Sequence, residues 1–169
     1  SLVDAVPTLT TEKAVKLFTK FGIYTQSELE ARADIMYETY VKTIKIEANT
    51  MIHMAAKHYI PTVIGYTTRL AQSITAVASA CPEAELSVQR GLLKDVSARL
   101  AEASAALEQL KPLMDRVDAI QDVKEMAIAY RTAVVPAMDA LRYPIDQLEL
   151  MVDKSIWPVP TYGDLMFEV

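Results

Sequence analysis

Leu86, Leu93, Leu100, Leu107 and Met114 recur at every seventh position, and Val96, Ala103, Leu110 and Val117 each follow one of them by three residues. An apolar repeat of this period and length suits a helix that lays one continuous seam against another helix. A strand would require alternation with period two, and none is present here. Gln89 is the one polar member of the seam. Pro112 interrupts the backbone ladder but not the pattern, which predicts a kink within a helix over 83–118.

A seam of this kind needs other helices, and the rest of the chain supplies them. Thr25 and Glu28 have capping-box spacing, with Tyr24 and Leu29 at the staple positions. From there Ile35, Tyr37, Val41, Ile44, Ala48, Met51, Ile52, Ala55 and Tyr59 keep helical spacing, and Val63, Ile64, Leu70, Ile74, Val77 and Ala78 resume the same period beyond Pro61. No turn signal intervenes before Cys81-Pro82. One helix over 25–80, kinked near Pro61, is expected. Asp122 and Glu125 open a further helix over 122–154, bent at Pro136 and Pro144. Residues 1–24 read as an extended lead-in, where Pro7 disfavours helix at Val6, followed by a short helix from Thr11 to Phe21. Val15, Leu17, Phe18 and Phe21 form the apolar side of that helix, and Gly22 sits where a left-handed cap belongs. Residues 155–169 lose helical period and contain Pro158 and Pro160, so an extended tail is expected. The fold class is therefore all-α: a single helical domain over 1–169, a bundle of long, partly kinked helices with an extended C-terminal tail.

The composition narrows function mostly by exclusion. A net charge of −5 without a basic stripe argues against nucleic-acid partners. No apolar run is long enough to span a bilayer, so no membrane partner is expected. Cys81 is the only cysteine, which excludes an internal disulfide and makes a reduced, cytoplasmic setting the default. The chain opens on Ser1 with an apolar stretch that lacks a start signal, pointing to a segment of a longer protein.

The motifs of common chemistries are missing. There is no phosphate loop, no dinucleotide-binding turn and no His-Glu-x-x-His helix, and the glycines Gly22, Gly65, Gly91 and Gly163 are isolated. A bundle-buried di-metal site would need Glu three residues before His on two helices. Neither His53 nor His58 has one. Five residues apart, they lie about 140° apart around an α-helix, too far to face one metal. Cys81 beside Pro82 has no evident base. No catalytic, cofactor or metal residue is expected in this chain.

Two stretches suggest contacts instead. Between Tyr40 and Met51 apolar residues lie on more than one face, with Ile46 off the main stripe and Lys42, Glu47 and Asn49 interspersed. This reads either as a helix flanked on two sides or as a contact surface for another domain. Lys42 and Glu38 form an i, i+4 pair. In the tail, Trp157, Tyr162, Leu165, Met166 and Phe167 are too few to make a core of their own and too apolar to leave in water. They dock either on this domain or on a neighbour, with Trp157 and Phe167 as anchors.

Several segments carry a family resemblance: Val3 to Pro7, Gly22 to Arg32 (GIYTQSELEAR), Tyr40 to Met51 (YVKTIKIEANTM), Pro136 to Leu141 (PAMDAL) and the tail Val152 to Val169 (VDKSIWPVPTYGDLMFEV). With these the chain resembles the C-terminal region of a type III glutamine synthetase, essentially end to end. The resemblance implies a parent enzyme that joins glutamate and ammonia using ATP and a divalent metal such as magnesium. Both would be held by a β-rich core upstream, and no residue here matches the family's catalytic, metal or nucleotide motifs. The partners implied are that upstream core and further copies of the parent in a homo-oligomer. The alternative is a free-standing helical adaptor that binds a separate protein.

Overall fold

The computed structural model describes residues 1–160 and 162–167. The chain is all-α, and no strand occurs among the described residues. The elements in order are α1 (Leu2–Ala5), a 3-10 turn (Val6–Thr10), α2 (Glu12–Lys20), α3 (Gln26–Met54), a π-turn (Ala55–Tyr59), α4 (Ile60–Ala80), α5 (Ser87–Asp118), α6 (Val123–Ala129), a second π-turn (Tyr130–Val134), α7 (Val135–Met151), a 3-10 turn (Lys154–Ile156) and α8 (Tyr162–Phe167). They form two compact units. One comprises Ser1–Asn49 with Lys111–Pro136, the other Thr50–Leu110 with Ala137–Val169.

The first departure from the sequence reading is at the start. The lead-in is helical, not extended, and Val6 is in the α region despite Pro7 (φ −53°, ψ −40°). Ser1 and Asp4 close a capping box around α1, and Pro7 sits in the first turn of the 3-10 helix, where a missing N–H costs nothing. Burial of Val3 and Val6 outweighs the pre-proline preference.

Helix α2 follows the expected grammar. The Thr11 hydroxyl accepts from the Ala14 N–H at 3.3 Å. At the other end Gly22 has φ +62°, its N–H donates to the Thr19 carbonyl, and the Ile23 N–H reaches back to Phe18, both at 3.0 Å. This is a Schellman ending, and glycine takes its left-handed residue without a Cβ penalty. The Thr25–Glu28 box then opens α3. Glu28 accepts from the Thr25 N–H at 2.7 Å and the Thr25 hydroxyl accepts from the Glu28 N–H at 3.3 Å. The first of these bonds is the largest cause holding the Glu28 carboxyl below its usual range.

Helix continues from Gln26 to Ala80, but the irregularity is a π-turn one turn upstream of Pro61. A proline ring crowds the carbonyl four residues before it, and the wider i→i+5 turn relieves that clash. The same solution recurs at the same offset in the other unit: the second π-turn ends at Val134 and Pro136 follows. The inserted residue also resets the buried stripe. Val41, Ala48 and Ala55 are buried at intervals of seven, and the next buried residue, Val63, comes after eight. Ile64 and Ile35, both assigned to the apolar series from sequence, are exposed. Ile35 lies two residues from both Ala33 and Tyr37 on the buried stripe, which points it the other way.

Helix α5 begins at Ser87 rather than Glu83, because the Glu85 carboxylate accepts from the Ser87 N–H at 2.8 Å and caps the helix there. It passes Pro112 without interruption. Along its seam Leu86, Val96, Ala103, Leu107, Leu110, Met114 and Val117 are buried, while Leu93 and Leu100 are half-buried. Asp122 caps α6 by accepting from the Glu125 N–H at 2.8 Å. After α7 ends at Met151, the tail is not extended throughout: a 3-10 turn at Lys154–Ile156 leads to an extended Trp157, followed by bends at Pro158 and Val159. The six-residue helix α8 follows, although its residues show no helical apolar period.

Candidate interaction surface

In the first unit, the stretch flagged from sequence lies on α3. Lys42, Glu47 and Asn49 are all exposed. The Lys42 ammonium pairs with Glu38 at 3.0 Å in full contact with solvent, a pair worth only a few tenths of a kcal/mol. Burial pushes the Tyr40 hydroxyl above its usual range, and the negative charge of Glu47 adds to that shift. Ile46 is exposed as well. The same stretch buries Val41 and Ala48 and half-buries Lys45. Its ammonium meets Asp118 at 2.7 Å, and Asp118 also accepts from the Tyr130 hydroxyl at 2.6 Å. Tyr130 is 0% exposed; burial first, then the bond to Asp118 and its charge, raise its pKa far above the usual tyrosine range. This network ties α3, the end of α5 and the second π-turn together.

The first unit also carries the apolar side of α2 that the sequence pattern marks. Helix α2 has no buried residue. Val15 and Phe18 are half-buried, while Leu17, Phe21 and Ile23 stand exposed, Phe21 at 65%. Amphipathic spacing reveals that a helix has an apolar side; it does not reveal that the side is left uncovered.

In the second unit, the two tail anchors part company. Trp157 is 7% exposed and stacks on Tyr59 with ring centroids 5.2 Å apart. Phe167 is 80% exposed, and Leu165 and Met166 beside it are also exposed. The side chain of Tyr162 lies outside the described residues. Lys154 pairs with Asp164 and so tethers α8 to the preceding 3-10 turn. Next to Tyr59 is a cavity of about 320 Å³. Met51, Met54, Ala55, Leu141 and Ile145 form its apolar wall, Arg142, Asp146 and Glu149 a polar one, and Val159, Pro160 and Leu165 of the tail close one side.

The two histidines end up closer than α-helical geometry allows. His58 lies in the first π-turn and His53 two residues before it, and their rings meet edge to face with centroids 5.6 Å apart. The expected separation of about 140° holds for an α-helix, and the inserted residue cancels it. Among the described residues no three or more His, Cys, Asp or Glu side chains gather where they could hold a metal ion. Among the same residues no helix is long and apolar enough to cross a membrane.

Residues 1–78 match the family described as the glutamine synthetase C-terminal domain. The chain is similar to the C-terminal region of glutamine synthetases. It is 29% identical over its whole length to a glutamine synthetase of Butyrivibrio fibrisolvens. Identity is 28% over 86% of the chain to a glutamine synthetase of Bacteroides fragilis, and 28% over 99% to the type-3 glutamine synthetase of Dictyostelium discoideum. The chain spans 24%, 20% and 23% of these synthetases, respectively. The match of residues 1–78 takes in both exposed regions of the first unit, the α2 face and the Lys42–Asn49 stretch.

Proposed function

We propose that this chain is the non-catalytic, helical C-terminal segment of a glutamine synthetase, and that it serves oligomer assembly or contact with the upstream core. In this reading the parent makes glutamine from glutamate, ammonia and ATP in the cytoplasm. ATP and a divalent metal such as magnesium are then bound by the upstream core, not by these helices. The observation that carries the reading is the apolar surface left open in a chain related to only a fraction of a larger enzyme. Leu17, Phe21 and Ile23 in one unit, and Leu165, Met166 and Phe167 in the other, are exposed. Apolar groups clustered on a surface mark contacts with another protein surface.

Within the tail, the packing of Trp157 on Tyr59 of its own unit and the exposure of Leu165, Met166 and Phe167 support an outward contact through the last three. On the α3 side the proposed contact residues remain Lys42, Glu47 and Asn49. The test is light scattering on the full parent enzyme carrying Leu165→Asp and Phe167→Asp, or Leu17→Asp and Phe21→Asp. A lower oligomer mass at low micromolar concentration is expected from at least one pair. An unchanged mass for both pairs overturns the assembly role. Glutamine formation by the purified chain alone, with ATP and magnesium, would overturn its assignment as non-catalytic.

A further inference from the structure

The first π-turn does more than accommodate Pro61. We infer that His53 and His58 form a two-imidazole chelate for a borderline divalent transition-metal cation such as Zn²⁺ or Cu²⁺. Both side chains are exposed, and their ring centroids are 5.6 Å apart at an interplanar angle of 63°. Two imidazoles bound to one tetrahedral zinc, with Zn–N near 2.1 Å, hold their centroids about 5 Å apart. Binding one ion turns the two solvent-facing rings out of their edge-to-face arrangement, so that one nitrogen of each faces the ion.

The ligand type selects the cation. Neutral imidazole nitrogen suits zinc, copper and nickel, whereas magnesium prefers an oxygen shell and sheds water reluctantly. Two protein ligands leave the remaining positions to water or to a donor from another molecule. Coordination releases any proton held on the ligating nitrogens, so binding weakens in acid. The chelate also acts on the backbone. In a regular α-helix the two rings diverge, so an ion held by both binds the π-turned form alone and stabilises it by mass action.

The experiment uses the full chain, free of affinity tags, with zinc or copper salts as the probes. Calorimetry should give one Zn²⁺ per chain, with Mg²⁺ binding at least about a hundredfold weaker. His53→Gln and His58→Gln should each weaken Zn²⁺ by about tenfold or more while leaving the helical circular dichroism unchanged. Loss of affinity in only one variant, or in neither, overturns the chelate. Electron paramagnetic resonance of the Cu²⁺ complex of the unmutated chain gives a reading that does not depend on any variant folding. Hyperfine coupling to two imidazole nitrogens is expected, and coupling to one or none overturns the inference.

Discussion

The two π-turns, Ala55–Tyr59 and Tyr130–Val134, are the same local device in different surroundings. Each adds one residue to a helix, and each ends two residues before a proline. The second is locked from within. Its first residue, Tyr130, is fully buried, and its hydroxyl is satisfied by Asp118, which Lys45 holds in turn. The first is open. His58 within it and His53 just before it are exposed, Ala55 and Tyr59 line a cavity, and the Trp157 ring stacked on Tyr59 has its buried Nε1–H without a partner among the described residues. A π-turn whose side chains are satisfied serves structure. One with exposed side chains is free to serve something else, and such turns are frequent at functional sites.

This contrast can be broken most severely at Tyr130. Tyr130→Ala should cost about 3–5 kcal/mol in urea denaturation, because the vacated volume lies in a closed core and Asp118 loses a donor. A loss under about 1 kcal/mol would show that the second turn is as loosely held as the first. Tyr130→Phe isolates the hydrogen bond. A bond to a charged group is worth about 1.5–3 kcal/mol, and the lower end is expected because Lys45 still meets Asp118.

The same tyrosine predicts a pH dependence. Its folded pKa is raised, chiefly by burial, so the native state keeps its proton where the unfolded chain ionises, near pH 10. Above that pH the unfolded state binds fewer protons, and stability must fall as pH rises. Tyr37, Tyr40 and Tyr66 are shifted the same way by burial. Tyr130→Phe should therefore reduce the alkaline slope without removing it, as read from denaturation midpoints between pH 8 and 11.

At the first turn smaller effects are expected. Trp157→Phe removes an unsatisfied donor along with some packing, and the two changes oppose each other. The net cost should stay below about 1.5 kcal/mol. A larger loss would mean the indole N–H has a partner after all. Smallest of all, His53→Gln and His58→Gln should each lie within about 0.5 kcal/mol of the parent chain in metal-free buffer, as befits exposed positions. A greater loss would place the histidine pair among the structural contacts of its turn.

Much of this architecture was legible as local grammar. The cap at Thr25, the glycine ending at Gly22 and the seam from Leu86 to Val117 depend on neighbours within a turn or two, and each forms as its spacing implies. The exposure of the candidate contact residues was harder to read. Lys42, Glu47, Asn49 and Phe167 are exposed, while Trp157 packs onto Tyr59. The exposed Leu17–Phe21 face went unread because an amphipathic pattern looks the same whether its partner is present or missing.

By itself, the sequence determined the all-α class, the capped starts of the helices and the spacing of the apolar seam. These follow from backbone hydrogen-bond needs and side-chain periodicity, which act over a few residues. Only the tertiary structure decided where the phase shifts. Prolines at 61 and 136 announce that the ladder must give way, but either a kink or an inserted residue would relieve them. The choice rests on which option keeps the buried stripe facing its core, and that depends on packing across the unit. The meeting of His53 and His58, the outward turn of Ile64 and the burial of Tyr130 against Asp118 all hang on that choice, one residue in a helix of many.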